Sequence, residues 1–455
     1  MPRPRRHSRV HAGFTLVELM VAMAMFLAMA GAAFTLFAEH AQLASRQENL
    51  SAVNIGLRNA MAQLEIDLSS AGQNLLSSVP GNSGTAFSLG AIIQNSVTGV
   101  AAACTVNTSS WAYPTSSVCF DSLEIVNPKL CSSCATPYSS YPYVPVLQIS
   151  DTADNLNTTT TIQATDSNSA DTLSLATVAA NFQNGDELVI VTPANGHGNP
   201  PHCPSNGVTT SQSPFCMTTV TLTANATVLA AASCPITTAS CIRLTHSLVG
   251  SAGQPAACPG TNCTDPLGIV YNTFAPNSAN YYSALSPGTY GTNSYVIDMG
   301  SGTNDVWYSV LQNPSNAADT QLMRCVGGPC NGANEQQLTD QVIGFKAGAA
   351  LWNQAATTEI GSFFYNANDY CSGFIETSTS PVAYANCSAT PPPFNDPYDF
   401  SLVRSVRISM IARTTPNVDA RLSQFQNGFD NGPYLVQQAS VVVDLRNMSM
   451  GQFGN

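Results

Sequence analysis

A single carboxylate, Glu18, lies in an apolar run that reads GFTLVELMVAMAMFLAMAGAAF from Gly13 to Phe34. A charged side chain at membrane depth costs at least about 2.5 kcal/mol, so such residues are rare and usually have a partner. We therefore expect the partner of Glu18 to define what this segment does.

Cysteine thiols are the second group able to do chemistry. The chain has 14 of them, an even number, and all lie from Cys104 onward. They fall into close neighbours along the chain: Cys104 and Cys119, Cys131 and Cys134, Cys203 and Cys216, Cys234 and Cys241, Cys258 and Cys263, Cys325 and Cys330, Cys371 and Cys387. This usage predicts disulfides formed in an oxidising compartment, and the pattern leaves their connectivity open.

His197, His202 and Cys203 have the residue types and the short spacing of part of a zinc site. The alternative is that Cys203 and Cys216 close a loop as a disulfide. We favour the loop and expect no metal.

Cys131 and Cys134 have the spacing of a redox pair, but the following ATPYSSYPYVP does not continue as a helix. A tight structural disulfide is the preferred interpretation. The acids between Asp151 and Asp171 are calcium-ligand types without a regular ligand loop, so a solvated loop is expected there.

Enzymatic machinery is not indicated. After residue 13 the only histidines are His40, His197, His202 and His246. The sequence has no Gly-x-Ser-x-Gly elbow, no His-Glu-x-x-His and no phosphate-binding Gly-rich loop with Lys. We expect no enzymatic activity and no cofactor.

The charge distribution argues against nucleic acid as a ligand. The net charge is -12, and between Asn59 and Met323 the only Lys or Arg residues are Lys129 and Arg243. Binding to a phosphate backbone needs clustered basic side chains. With 9% charged and 44% apolar residues, the composition is that of a globular chain of short strands and polar turns.

The elements that must position Glu18 begin with a basic flank and a long apolar helix. Residues 1–13 contain four arginines and no acid, which predicts that the N-terminus stays in the cytoplasm. The 20 residues from Leu19 to Ala38 carry no charge. At about 1.5 Å per residue, a helix of that length spans a bilayer core of about 30 Å.

The sequence Gly13-Phe14-Thr15-Leu16-Val17-Glu18 resembles the type IV prepilin motif. The resemblance implies cleavage after Gly13 by a membrane-embedded prepilin peptidase, methylation of the new terminus at Phe14, and a pairing of Glu18 with the terminal amine of a neighbouring subunit. Such a buried pair sets register more than it adds stability. The alternative is a signal anchor whose glutamate snorkels or faces another membrane helix.

The helix is expected to continue past the bilayer as an amphipathic segment. An apolar stripe recurs at helical spacing: Leu43, Leu50, Leu57, Met61, Leu64, Leu68. Arg46, Glu48, Arg58, Glu65 and Asp67 lie mostly between these residues. A sheet must cover the stripe, although a coiled-coil dimer is an alternative. No proline forces a break before Gly72 or Pro80.

After Pro80 the pattern changes to short β-type runs, which predict an antiparallel sheet. The runs are DSLEIV at Asp121, DELVIV at Asp186, MTTVTLT at Met217, SYVIDM at Ser294 and VWYSVLQ at Val306. The polar stretch from Asp151 to Asp171 and the Pro-rich GHGNPPHCPSNG from Gly196 are expected to be loops or mobile insertions.

A second resemblance is to the PilW family of type IV pilus assembly proteins, which are minor pilins. It rests on LSSAGQN at Leu68, QLTDQVIGFKAGAALW at Gln337, VRSVRISMIART at Val403 and YLVQQASVVVDLRN at Tyr434, in that order. The size of the chain, and the lack of cysteine in its last 68 residues, argue against a major pilin. The middle of the chain inherits nothing from the family.

These observations predict an α+β, pilin-like fold: a long N-terminal transmembrane and amphipathic helix packed on an antiparallel β-sheet, with a large disulfide-rich β insertion. The expected divisions are a leader (1–13), a transmembrane helix (14–38), an amphipathic helix (39–72), a Cys-rich insertion (73–290) and a C-terminal sheet region (291–455).

The expected function is that of a minor pilin in type IV pilus assembly or initiation. The alternatives are a minor pseudopilin of type II secretion and a pilin-anchored surface adhesin. The resemblance implies as partners the prepilin peptidase, other major and minor pilins, the inner-membrane assembly platform and membrane lipid. It implies a single-pass inner-membrane protein whose bulk is periplasmic or extracellular, associated with the pilus after assembly.

Overall fold

The computed structural model of the chain describes residues 15–73, 75, 89–95, 120–129, 146–150, 154–155, 160–166, 174–193, 215–234, 239–248, 289–290, 294–313, 315, 319–353, 358–359, 363, 400, 403–414 and 432–446. The chain divides into two compact units, Met1–Ala52 and Val53–Asn455.

Helix α1 comprises Leu16–Ser69 without interruption. No proline lies in it, and Ala, Leu, Met, Glu and Gln, which favour helices, dominate its sequence. The helix ends in a turn where Gly72 adopts a φ of 64°, a left-handed conformation that glycine reaches at little cost. The prediction of a long N-terminal helix is therefore confirmed.

The rest of the described chain is mostly β-structure. In chain order the elements are β1 Ala91–Asn95, β2 Asp121–Ile125, β3 Val146–Ile149, β4 Asp154–Asn155, β5 Thr161–Asp166, α2 Leu175–Ala179, β6 Glu187–Pro193, β7 Phe215–Thr221, β8 Thr227–Leu229, a 3₁₀ turn Ala231–Ser233, β9 Cys241–Thr245, β10 Thr289–Tyr290, β11 Tyr295–Gly300, β12 Val306–Gln312, β13 Thr320–Val326, β14 Glu335–Thr339, β15 Val342–Asn353, β16 Thr358–Glu359, β17 Val403–Arg413 and β18 Val436–Asp444.

The strands form three main sheets. Their strand orders are β1-β2-β12-β13-β14, β7-β6-β11-β3-β5-β9-β8 and β16-β15-β17-β18, and β10 pairs with β4. Every pairing between these strands is antiparallel. Strands from the two sides of residue 290, the predicted end of the insertion, pair with each other: β2 pairs with β12, and β11 pairs with β3 and β6. The divisions at residues 13, 38, 72 and 290 stay predictions.

The main core lies in the second unit and contains the distal turns of α1. Leu57, Met61, Leu64 and Leu68 are buried there with side chains from all three sheets. This confirms the predicted stripe from Leu57 to Leu68. The beginning of the stripe is not covered within the described chain, since Leu43 is 50% exposed.

A second core lies on the other face of the seven-stranded sheet. Val189 and Ile297 face the main core, whereas their neighbours Leu188 and Val296 face the second one. Helix α2 covers this second face together with Phe182. Ser174 caps α2, because its hydroxyl accepts from the backbone N–H of Thr177 at 3.2 Å.

All five predicted β runs are strands (β2, β6, β7, β11 and β12). The prediction of a loop over Asp151 to Asp171 is wrong in part, because it contains β4 and β5. In β5 the buried Ile162 and Ala164 alternate with more exposed neighbours, and β-branched Thr161 and Thr165 suit a half-buried sheet. The Pro-rich stretch at residues 196–207 lies outside the described residues.

Candidate functional site

The first turn of α1 holds Glu18 by a local set of hydrogen bonds. Thr15 donates from its backbone N–H and from its hydroxyl to Glu18 Oε2, at 3.0 Å each, and its hydroxyl accepts from the Glu18 backbone N–H at 3.2 Å. This reciprocal arrangement is a capping box, which satisfies backbone donors that have no partner inside a helix. Glu18 therefore has a role in its own chain that sequence reasoning missed, although the Thr-x-x-Glu spacing was readable.

The following turns present an unbroken apolar surface. α1 is long and apolar enough to cross a membrane, and the side chains of its most apolar window are exposed within the chain. The hydroxyl of Thr35 donates to the carbonyl oxygens of Ala32 at 2.8 Å and Gly31 at 3.2 Å. The Thr35 hydroxyl thus has hydrogen-bond partners within the helix and needs none from water. This avoids the free-energy cost of an unsatisfied hydroxyl in hydrocarbon.

Asp67 joins the distal end of α1 to two strands of the five-stranded sheet. Its Oδ2 accepts from the Tyr308 hydroxyl at 2.5 Å and from Arg324 Nε at 2.6 Å, and its Oδ1 accepts from Arg324 Nη2 at 3.2 Å and Gln63 Nε2 at 3.0 Å. Asp67 is buried on the packed face of the helix. Asp67, which lies between Leu64 and Leu68 in the sequence, is therefore part of the packed face.

The two groups that donate to Asp67 Oδ2, Arg324 and Tyr308, both have raised pKa values. The hydrogen bond to Asp67 raises the pKa of Arg324. Burial, followed by the hydrogen bond to the Asp67 carboxylate, raises the pKa of the Tyr308 phenol. The cluster is thus an ion pair with a neutral phenol attached, and it fixes the helix to β12 and β13.

A fully buried ion pair joins two of the sheets. Lys346 Nζ lies 3.1 Å from Asp121 Oδ1, and both side chains have no exposed surface. Asp121 Oδ2 also accepts from the backbone N–H of Ala347 at 3.0 Å. Because Asp121 begins β2 and Lys346 lies in β15, the pair fixes the five-stranded sheet against the four-stranded one.

Two buried carboxylates flank the turn between β11 and β12. Asp298 accepts from the backbone N–H of Gly300 at 2.8 Å, and burial together with the nearby Asp186 raises the pKa of Asp298 to about 8. Asp305 accepts from the backbone N–H of Asn127 at 2.7 Å, and burial raises the pKa of Asp305 to about 7. Each is a proton-binding group near neutral pH that the sequence did not reveal.

The histidines in the described part of the chain have no catalytic surroundings. His40 is exposed on α1. His246 is buried, and its Nδ1 lies 2.6 Å from the Ser247 carbonyl oxygen, to which it donates. Burial lowers the pKa of His246, so the ring stays neutral. His197 and His202 lie outside the described residues.

Among the described residues two disulfides are present, Cys234–Cys241 and Cys325–Cys330, each between close neighbours along the chain. The second closes the turn between β13 and β14. Cys216 lies in β7, but its side chain is not described. The remaining candidates lie outside the described residues: Cys104, Cys119, Cys131, Cys134, Cys203, Cys258, Cys263, Cys371, Cys387.

No metal site is evident in the part of the chain that the structure describes, where no group of three or more His, Cys, Asp or Glu side chains is placed to hold an ion. The zinc alternative and all the acids between Asp151 and Asp171 fall on undescribed residues or side chains. Gly13 and Phe14 also lie outside the described residues.

Comparison with known proteins gives one match that bears on function. The prokaryotic N-terminal methylation motif matches residues 8–34. The chain carries a prepilin-type N-terminus. The match includes Gly13, Phe14, the Thr15 and Glu18 cap, and the first turns of the apolar helix.

A type IV-like pilin, TTHA1219 from Thermus thermophilus, is similar at 13% sequence identity over 32% of this chain and 68% of that protein, with a TM-score of 0.15. A TM-score this low does not indicate a shared arrangement of strands. No curated protein matches the chain.

Proposed function

We propose that the chain is a minor pilin of a type IV pilus system, a structural subunit that acts in pilus assembly or initiation. The observation that carries the proposal is the methylation motif at residues 8–34, which opens a helix that continues to Ser69. The helix is apolar as far as Ala38, and its distal turns are buried in a sheet core. An anchor joined to a folded domain in this way suits a subunit that leaves the bilayer for a fibre.

The PilW-like segments support this function over a type II secretion pseudopilin. QLTDQVIGFKAGAALW contains the last three residues of β14 and the first eleven of β15, VRSVRISMIART covers β17, and YLVQQASVVVDLRN includes β18. β15, β17 and β18 are neighbours in one sheet. Three of the four segments thus fall mainly on the four-stranded sheet, and the fourth, LSSAGQN, begins at Leu68 in the last turn of α1.

The proposal includes processing and location. The prepilin peptidase cuts between Gly13 and Phe14 and methylates Phe14, and the protein crosses the inner membrane once with its N-terminus in the cytoplasm. Mass spectrometry of the N-terminal peptide of the mature protein should find N-methylated Phe14. A mature N-terminus after Ala38 would instead indicate an ordinary secretory signal, which would overturn the proposal.

Assembly then depends on Glu18 as the counter-ion of the terminal amine of a neighbouring subunit. Because Glu18 also caps its own helix, Glu18→Ala would remove both the cap and the charge, and its effect could not be assigned to either one. Glu18→Gln keeps an acceptor for the cap and removes the charge. Thr15→Ala is the matched control, since it removes the cap at a cost of about 0.5–2 kcal/mol and keeps the charge.

We expect both variants to be processed, Glu18→Gln to be largely absent from sheared fibres, and Thr15→Ala to be incorporated. The measurement is the ratio of fibre-bound to membrane-bound protein on immunoblots. The reverse pattern would mean that Glu18 serves only as a cap.

The assembly role itself predicts fewer pili after deletion of the gene, with each pilus of normal length, counted by electron microscopy with retraction blocked. Unchanged counts with lost attachment would favour the adhesin. Removing residues 80–290 alone does not separate these roles, because it takes β1 and β2 from the five-stranded sheet.

A further inference from the structure

Strand β18 forms an open edge of the four-stranded sheet. Its nine residues, Val436–Asp444, pair in continuous register with β17. In the described part of the chain no other strand pairs with β18. The backbone groups that point away from β17 are therefore available to another strand.

This edge lacks the usual protection against pairing. Proteins blunt exposed edges with charges, prolines, bulges or short strands. Residues 436–443 read VQQASVVV, with no charge and no proline, and the pairing with β17 has no bulge. The other described sheet edges are shorter, with seven residues in β7, five each in β1 and β14, three in β8 and two in β16.

The side chains of β18 define what an added strand must look like. Ala439 and Val441 pack against the main core but remain partly exposed, since the sheet ends there. Gln438, Ser440 and Val442 point to the opposite face, where Val442 is 50% exposed. A strand placed beside β18 would continue the apolar row on the core-facing side and lie beside mainly polar side chains on the other.

We propose that β18 accepts an extended segment of a different protein chain as a further strand of this sheet. The segment is apolar at every second position, polar between, and free of acidic residues, because Asp444 and the net charge of -12 disfavour an acidic chain. The same charge disfavours a second copy of this protein. The proposal does not depend on the N-terminal motif.

The first test uses the full chain in detergent micelles and a labelled probe peptide, Thr-Val-Thr-Val-Thr-Val-Thr-Lys. The control peptide has the same sequence with N-methylated valines. Their backbone nitrogens carry no hydrogen, so one edge of the extended peptide cannot donate hydrogen bonds. We expect the N-methylated peptide to bind at least about tenfold more weakly by fluorescence anisotropy, because main-chain hydrogen bonds provide the affinity in strand addition. Equal binding would overturn the proposal.

The second test locates the peptide by hydrogen exchange. We expect slowed exchange of amides in β18 and unchanged exchange in β14, the edge of another sheet. Protection elsewhere would overturn the proposal. Protection of β18 without peptide, rising with protein concentration, would mean that a second copy occupies the edge and would equally overturn it.

Matched variants separate the edge from general charge effects. Ala439→Lys places a charge on the core-facing side of the edge, a device that natural edge strands use against pairing. Gln438→Lys places the same charge on the exposed side, one residue away. We expect peptide affinity to fall at least about tenfold in Ala439→Lys and less than about threefold in Gln438→Lys. If exchange in β17 shows that Ala439→Lys is unfolded, the peptide pair and the exchange map decide alone. Equal loss of affinity in two folded variants would contradict strand addition.

Discussion

At the residue scale, Asp67 is the acceptor on which Tyr308 and Arg324 both depend. Asp67→Ala leaves a buried phenol and a guanidinium without their acceptor. We expect the free energy of unfolding to fall by about 2–3 kcal/mol, the usual cost of a lost hydrogen bond to a charged group. The measurement is urea unfolding of a chain that begins at Gln42, followed by circular dichroism.

Glu65 provides the control, because it is exposed on the same helix two residues away. Glu65→Ala should change stability by no more than about 0.5 kcal/mol. Equal effects of the two variants would mean that the Asp67 cluster contributes nothing to the attachment of α1.

Asp298 predicts a stability that falls as pH rises. Its pKa is about 8 in the folded protein, above the ordinary value of 3.8, so the folded state binds more protons than the unfolded state between these limits. The free energy of unfolding therefore decreases with rising pH through this window and levels off above pH 8. Each unit of raised pKa corresponds to about 1.4 kcal/mol.

Asp298→Asn keeps the acceptor for the Gly300 N–H and cannot ionise. Between pH 6.5 and 8.5 we expect its chemical unfolding to vary less with pH than that of the natural protein, with the greatest gain in stability at the alkaline end. Asp444→Asn is the control at an exposed position. Identical slopes for all three proteins would contradict an ionisable Asp298 in this window.

The helix cap and Asp67 show what local sequence could and could not predict. The Thr15 and Glu18 cap was readable, because both partners lie within one helical turn. The burial of Asp67 was readable from its spacing of three from Leu64. Its partners were not, because Tyr308 and Arg324 lie 241 and 257 residues away, and only the pairing of distant strands brings them to the helix.

At the scale of elements, the contact between α1 and β14 depends on Gly56. A Cβ atom there would lie 2.6 Å from Thr339 Oγ1, which is closer than Cβ atoms come to non-bonded neighbours. We expect Gly56→Ala to destabilise the protein, because overpacking costs about 1–3 kcal/mol. The gain of about 0.5–1 kcal/mol from alanine in a helix is smaller.

The matching experiment makes Gly56→Ala in a Thr339→Ala background, where the clashing hydroxyl is absent. There the helix propensity of alanine should dominate, and the substitution should become stabilising. Urea unfolding of the four proteins gives the coupling between the two positions. A coupling near zero would mean that α1 and β14 are farther apart than described.

The elements differed in how well sequence predicted them. α1 and five strands were predicted because apolar periodicity is local and can be read within each element. β5 was missed because threonine, asparagine and aspartate around it resemble a loop, while only Ile162 and Ala164 show the buried face. Sheet membership was beyond prediction, since β11 pairs with β3 and β6 rather than only with strands near it in sequence.

At the scale of the whole molecule, the second unit should fold without the membrane segment. A chain beginning at Gln42 retains all of the main core, because the first buried residue of α1 in that core is Leu57. We expect it to be soluble and mostly β by circular dichroism, with a cooperative unfolding transition. Aggregation in the absence of detergent would mean that the apolar run is needed to complete the fold.

The pairing of Asp67 with Arg324 also has a consequence in time. The ribosome makes Asp67 first, and Arg324 follows 257 residues later. At about 5–20 residues per second this is a delay of roughly 13–50 s. Contacts this far apart in sequence also slow folding itself, because a long loop must close before they form. For that interval the five-stranded sheet that holds Asp67 lacks β13 and β14. The element made first is thus attached to this sheet only when most of the chain has been made.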